Sequence, residues 1–307
     1  MRVRTLAVGE ALIDEVTSPG GAVAEHVGGS PANVAFGLAA LGHDVELATW
    51  LGVDAHGARI EQVCRSRGVA LTPGSHGAAS TPVAHALLDE RGSATYTFDL
   101  EWAPETFPAP GSHGHVHTGS IGAVLQPGAL AVRQFLALAH QAGATVSYDP
   151  NLRPALMTLE EARAAVAAAL ALADVVKASD EDLAWLSPGS SVEQVAKEWA
   201  ALGPAIVVVT LGAAGAFVRC SVSGEMTRLP AAAVHLVDTV GAGDSFMAGL
   251  ISGLIDADLL GSREARERLR GATLDEVVPA VERALKTAAL TVARAGAYAP
   301  GRNDLDG

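Results

Sequence analysis

The amino-acid sequence predicts an α/β fold built on a mostly parallel central sheet, with a second, much smaller sheet set apart from it. Short apolar runs of strand length alternate with longer segments of helical periodicity over most of the chain. The alternation breaks in two places where extended pairs follow one another with no helix between them. Thr5 to Val8, Val45 to Trp50, His115 to Thr118, Thr145 to Tyr148, Val175 to Lys177 and Ile206 to Leu211 read as the main strands. Ala32 to Leu41 reads as a helix because a proline precedes it at an early helical position and Gly42 follows as a C′ residue. Ala58 to Arg67, Gly128 to Gln141 and Leu159 to Leu172 repeat the helical pattern. Ile13 to Val16 with Val23 to Val27, and Pro82 to Leu88 with Ala94 to Leu100 across Asp89 to Ser93, form the small sheet, which is placed as a lid over a site. Ala216 to Cys220 and Met226 to Leu229 make a hairpin at the end of the main sheet. His235 to Val237 is read as a last short strand, Gly241 to Leu254 as a helix, and Asp275 to Arg294 as another with acidic residues early and Arg294 late, as the helix dipole favours.

Composition narrows the partners. Of 307 residues, 49% are hydrophobic but only 4% aromatic, so a large core has to be assembled from Ala, Val and Leu. The formal charge of -13 leaves no basic face for nucleic acid, and the run Arg263 to Arg270 is interleaved with Glu264 and Glu267, which reads as a solvated helix face. Ala200 to Val218 is uncharged, yet Gly203, Pro204, Gly212 and Gly215 interrupt it; it reads as a buried strand and turn rather than a membrane span. Cys64 and Cys220 fit core positions in a reducing compartment, and Glu10, Asp14 and Glu15 interrupt any apolar signal stretch, so a cytoplasmic chain is expected.

Four segments carry chemistry. In Asp238-Thr239-Val240-Gly241-Ala242-Gly243-Asp244-Ser245-Phe246, bare glycines open a helix whose free amides attract anionic oxygen, and Asp244 falls in its first turn. Phosphoryl transfer needs that pair: donors for phosphoryl oxygens and a base for the attacking hydroxyl. Alone, the segment equally describes an Asp cap on a Gly-rich turn. In Gly28-Gly29-Ser30-Pro31-Ala32-Asn33, the Asn33 amide suits polyol hydroxyls, or caps backbone. Asp149-Pro150-Asn151-Leu152-Arg153 stands at the carboxyl end of a strand, where ligands of open α/β sheets gather, although taken by itself the segment reads better with Arg153 closing a loop salt bridge. Thr210-Leu211-Gly212-Ala213-Ala214-Gly215 offers small residues against which a flat nucleotide can lie, or a tight strand turn.

In this order the four segments resemble the ribokinase-like carbohydrate kinases of the phosphofructokinase-B type, from about Ala7 to Pro300. The resemblance implies a three-layer α/β/α fold and one domain, 1–307, with a small β-sheet lid from about 11–27 and 81–104. It implies Asp244 as the catalytic base and the amides of Gly241, Ala242 and Gly243 as an anion hole. It implies Asp14, Gly28, Gly29, Asn33 and Arg153 for the sugar, and Asn151, Arg153, Ser179, Thr210, Gly212, Gly215 and the glycines of the turn for ATP. Ser179 and Asp182 stand where relatives carry an Asn-x-x-Glu pattern that holds magnesium through water, which points Asp182 at a hydrated Mg²⁺. The carbonyls of Asp238, Val240, Arg294 and Gly296 match a potassium site. Gly9 to Asp14 and Asp149 to Arg153 are most similar to fructokinases and 2-keto-3-deoxygluconate kinases, whereas Asp99 to Pro104 departs from the fructokinases' Arg-x-Pro-x-Ala-Asp run. The expected reaction is ATP-dependent phosphorylation of a sugar hydroxyl, fructose first and 2-keto-3-deoxygluconate, ribose or a nucleoside next, by a homodimer joined through the lid. A Rossmann dehydrogenase would need a third glycine where Phe246 stands. A P-loop kinase would need GxxxxGK[ST], which does not occur. A non-catalytic sugar-binding protein of the same fold would have little use for Asp244.

Overall fold

A computed structural model describes residues 2–89 and 94–305, so residues 90–93 of the turn read at Asp89 to Ser93 lie outside the described residues. Strand β1 (Arg4–Val8) leads into the hairpin β2 (Leu12–Thr17) and β3 (Val23–Gly28). Helix α1 (Ser30–Ala40) returns the chain to β4 (Asp44–Ala48), and Gly42, at φ +80°, ends it with an amide bond to Ala39 O, as its sequence position predicts. After β5 (Leu51–Gly52), α2 (Ala55–Ser66), β6 (Ala70–Leu71) and β7 (His76–Ala78) comes the second hairpin, β8 (Val83–Leu88) and β9 (Ala94–Asp99). The alternation then resumes with β10 (His115–Gly119), α3 (Gly128–Gln141), β11 (Thr145–Asp149), α4 (Leu159–Leu170), β12 (Val175–Ser179), α5 (Asp180–Leu186), α6 (Val192–Ala200) and β13 (Ile206–Thr210). The hairpin β14 (Ala216–Cys220) and β15 (Met226–Leu229) precedes α7 (Ala242–Asp256), α8 (Arg263–Gly271), α9 (Leu274–Val292) and the short α10 (Arg302–Leu305).

The main sheet has nine strands in the order β15-β14-β13-β12-β11-β10-β1-β4-β6, all parallel except the terminal hairpin. Its central strands are buried on both faces and read as continuous apolar runs, as in β13, Ile-Val-Val-Val-Thr. One face packs against α1, α7 and α9 through Val34, Leu38, Leu250 and Val281, and the other against α3, α4 and α6 through Val132, Val166 and Val195. The scarcity of aromatic rings is met by close helix packing: a Cβ on Gly249 or Gly253 of α7 would meet the backbone of Ala284 or Ala280 of α9. The small sheet runs β3-β2-β8-β9, with β2 and β8 parallel, over its own cluster of Leu12, Ala84 and Ile121. Cys64 and Cys220 are buried and free, and among the described residues no helix is long and apolar enough to cross a membrane.

Two sequence expectations are corrected. His235 to Val237 pairs with no strand: residues 230–240 run without regular structure, and Val237 N–H instead reaches Val292 O. The Arg263 to Arg270 run is not a wholly solvated face, because Arg266 turns inward to Asp174 at 3.3 Å and to the carbonyls of His140 and Ala144 that close α3 and open β11.

Candidate active site

Strands β1, β10, β11, β12 and β13 run parallel, so their carboxyl ends share one rim of the sheet, where ligands of open α/β sheets gather. Gly241 caps α7 at φ +74°, a left-handed conformation that only glycine adopts without strain. Ser245 N–H makes the first bond back into the turn, to Gly241 O. Of the three amides expected to form the anion hole, that of Ala242 donates to Thr239 O at 3.2 Å. Among the described residues the amides of Gly241, Gly243 and Asp244 donate to nothing, and they are the group presented to a ligand.

Asp244 is 8% exposed, and both its oxygens are held: Ser30 Oγ donates to Oδ1 at 2.6 Å and Asn33 Nδ2 to Oδ2 at 2.8 Å. The two donors come from the first turn of α1, so the Gly28–Asn33 motif positions the carboxylate that the other motif supplies. Asn33 was expected on the sugar; here its amide is turned onto Asp244. Ser30 was not singled out in the sequence, although it is the other hydrogen-bonding side chain of its motif. Gly29, at φ +105°, leaves no room for a Cβ against Glu10 O and Ala11 Cα, and Gly28 lies against the Asp14 carboxylate.

Asp14, on β2, stands opposite His26 of β3, with its carboxylate against Gly28. Burial pushes its carboxyl up to about 6, Arg153 and His26 oppose that shift, and Asp244 adds to it, so the two carboxylates and the guanidinium share one field. Glu10 lies deeper. It accepts Gly122 N–H at 3.0 Å, and burial pushes it up to about 7 against the pull of its own backbone amide, Ser120, Gly122 and Arg153. Arg153 Nη1 is hooked back onto Asn151, at 2.8 Å to Oδ1 and 3.1 Å to its carbonyl, and Asn151 adopts φ +38° to receive it. The loop is tied down from below by Asp182. Its Oδ1 accepts Leu152 N–H at 2.9 Å, and its Oδ2 accepts the amide and hydroxyl of Ser179, the cap of α5.

Beneath the turn lies a pair absent from the sequence reading. Lys177 Nζ and Asp149 Oδ2 are 2.7 Å apart with side chains 4% and 1% exposed. Burial alone would lower the lysine, but Asp149, Asp182 and Asp244 together hold it above its ordinary value. Burial raises Asp149 above its ordinary value, and Lys177 opposes that shift. A lysine closing an apolar strand and an aspartate before a proline were the available signals.

Further along the rim, Thr210 Oγ1 donates to Ala178 O at 3.4 Å, and Gly212 and Gly215 take positive φ around the exposed Ala213 and Ala214. The Gly215 corner packs on Leu229 to Ala231, where the irregular 230–240 segment begins. That segment exposes Val234, Leu236, Val237 and Val240, an apolar strip running up to the free amides. The four residues of the expected potassium site lie on two neighbouring loops. Asp238 Oδ1 accepts Val240 N–H at 3.0 Å and Oδ2 accepts Gly296 N–H at 2.8 Å, while Gly296 O accepts Tyr298 N–H and Arg294 stacks 3.8 Å over the Tyr298 ring. Among the described residues no group of three or more His, Cys, Asp or Glu could hold a metal ion.

Comparison with known proteins agrees with this fold. The family model described as pfkB family carbohydrate kinase matches residues 5–304. A fructokinase of Klebsiella pneumoniae is 34% identical over 263 residues, spanning 83% of this chain and 85% of its own. The crystal structure of a fructokinase with bound ATP from Xylella fastidiosa superposes with a TM-score of 0.85 at 26% identity, covering 99% of this chain and 97% of that one. A double mutant of the Vibrio cholerae fructokinase, in a fructose-, ADP- and potassium-bound form, gives 0.82 at 28% identity, with 99% and 97% covered. A ribokinase-like architecture, a buried carboxylate held beside free amides and a family match along nearly the whole length lead to one assignment: the chain belongs to the pfkB family of carbohydrate kinases, ATP-dependent enzymes that phosphorylate a sugar hydroxyl.

Proposed function

We propose that the sugar is fructose and that Asp244 is the base. The observation that carries this reading is the Asp244 carboxylate, oriented by Ser30 and Asn33 one turn from three free amides. Asp244 takes the proton of the attacking hydroxyl as its oxygen closes on the γ-phosphorus and the bond to the β-bridging oxygen breaks, releasing ADP. The amides of Gly241, Gly243 and Asp244 receive charge developing on the equatorial oxygens. Asp14 accepts sugar hydroxyls, and Gly28 and Gly29 let the sugar approach the backbone. Arg153 bridges from the Asn151 loop toward the phosphates. Thr210, Gly212 and Gly215, with the apolar strip from Val234 to Val240, take the nucleoside.

Magnesium, when bound, would supply charge neutralisation for the phosphates. Asp182 is the carboxylate assigned to its water shell; both oxygens already hold Ser179 and Leu152, so its larger part is to shape the phosphate loop. The carbonyls of Asp238, Val240, Arg294 and Gly296 suit a monovalent cation, and Asp238 keeps their two loops together.

A panel of sugars assayed for ATP-dependent ADP release tests the substrate. Fructose is expected to give the highest kcat/KM. Turnover of 2-keto-3-deoxygluconate or ribose with none of fructose would overturn the fructose assignment, and turnover of no sugar by the wild-type chain would overturn the whole reading.

A further inference from the structure

The Lys177–Asp149 pair takes no part in the chemistry described so far, and its placement is costly without a return. Taking both charges out of water is repaid only by good geometry and additional hydrogen bonds. Here the additional bonds are few: Asp149 Oδ1 has no hydrogen-bond partner among the described residues. The contact Lys177 does make beyond Asp149 is to the catalytic turn, with Nζ 3.5 Å from Gly243 O. A Cβ on Gly243 would come within 3.1 Å of that ammonium, so the glycine also clears space for the cation. The carbonyl of Gly243 and the amide of Asp244 belong to one peptide group. A cation at the carbonyl end polarises that group and strengthens its N–H as a donor. That N–H is one of the three free amides, and the residue bearing it carries the base.

We propose that Lys177 is a positioning residue of phosphoryl transfer: anchored by Asp149 beneath the 241–244 turn, its ammonium fixes and polarises the Gly243–Asp244 peptide and so aims both the Asp244 amide and the Asp244 carboxylate. Asp149 serves the lysine, not the substrate. The assignment rests on the kinase reading above. It requires that losing the pair lowers kcat more than it changes the KM of either substrate, because the polarised amide meets its full charge only as the phosphoryl group transfers.

The double variant Asp149→Asn with Lys177→Met removes both charges, leaving no lone buried ion. Its kcat should fall roughly 30- to 100-fold, with KM for fructose and ATP within about threefold of wild type. Lys177→Arg, which restores a cation opposite Asp149, should recover part of the loss. A readout without turnover accompanies these: ADP with fluoroaluminate and fructose should protect the wild type thermally more than ADP alone, and the double variant should lose only that extra protection. A kcat within threefold of wild type overturns the proposal. So does a rate loss accompanied by loss of protection by ADP alone, which marks a collapsed site. If the double variant does not fold, Asp149→Asn alone decides, with kcat expected to fall about tenfold at unchanged ADP protection; unchanged kcat overturns the proposal. A wild-type chain that turns over no sugar overturns it together with the kinase reading, whereas an active wild type beside an equally active double variant overturns it alone.

Discussion

Asp244 is held by two donors from another helix, and the role proposed for it depends on charge rather than shape. Asp244→Asn preserves size and keeps an acceptor for Ser30, so the fold and ATP binding should survive. With the base gone, kcat should fall by roughly 10²- to 10⁴-fold or more, read by the coupled ADP assay; near-normal turnover would remove Asp244 from the role of base. Ser30→Ala leaves the base charged but frees Oδ1, and kcat/KM should drop about tenfold, the worth of a hydrogen bond to a charged group. The Asp244 segment could be picked out in the sequence because bare glycines open a helix beside a carboxylate, although alone it equally describes an Asp cap on a Gly-rich turn. The holders of Asp244 could not. A serine before a proline reads as a helix cap, and that Ser30 points across 214 positions to Asp244 follows only from the packing of α1 on α7. Lys177 and Asp149 were hidden for a related reason, since each is unremarkable in its own strand and only the β11–β12 pairing makes them a buried pair.

Regular elements were largely legible and irregular ones were not. Apolar periodicity set the parallel strands and α3, and the Pro and Gly positions set both ends of α1. The strand reading of His235 to Val237 failed because a short apolar run is a strand signal, yet the structure exposes Leu236 and Val237 where a nucleoside is proposed to lie. The passage from β1 into β2 is the element whose behaviour with pH can be tested. Glu10 stands there, buried and raised to about 7 from an ordinary 4.5. An acid raised on folding keeps its proton in the folded state where the unfolded chain has already lost it, so stability declines as pH rises from about 4.5 to about 7. The full difference amounts to about 3 kcal/mol as an upper figure. Glu10→Gln keeps an acceptor for Gly122 and carries no titration. In urea unfolding the variant should match the wild type near pH 4.5 and exceed it at pH 8; an equal gap at both would mean that Glu10 does not titrate in this window.

At the scale of the whole molecule, the small sheet is the part least supported by the rest. Its own cluster has three buried residues, Leu12, Ala84 and Ile121, with Phe98 and Leu100 packed beside them, whereas the main sheet is covered on both faces. The strand order leaves β3 and β9 as edges. Register places Val23, Thr17, Leu87 and Thr95 in one row across the four strands, and in that row Val23 is 57% and Leu87 59% exposed. Large apolar side chains aligned on a thin sheet are the kind of surface a second copy covers. A homodimer joined through this sheet is therefore expected, and light scattering at assay concentration should return twice the chain mass. Replacing Val23 and Leu87 together by Asp should return one chain mass with the main sheet intact, because neither side chain belongs to either large core cluster. A wild type that scatters as a single chain would rule out the dimer, and the exposed row would then be an ordinary feature of a monomer surface.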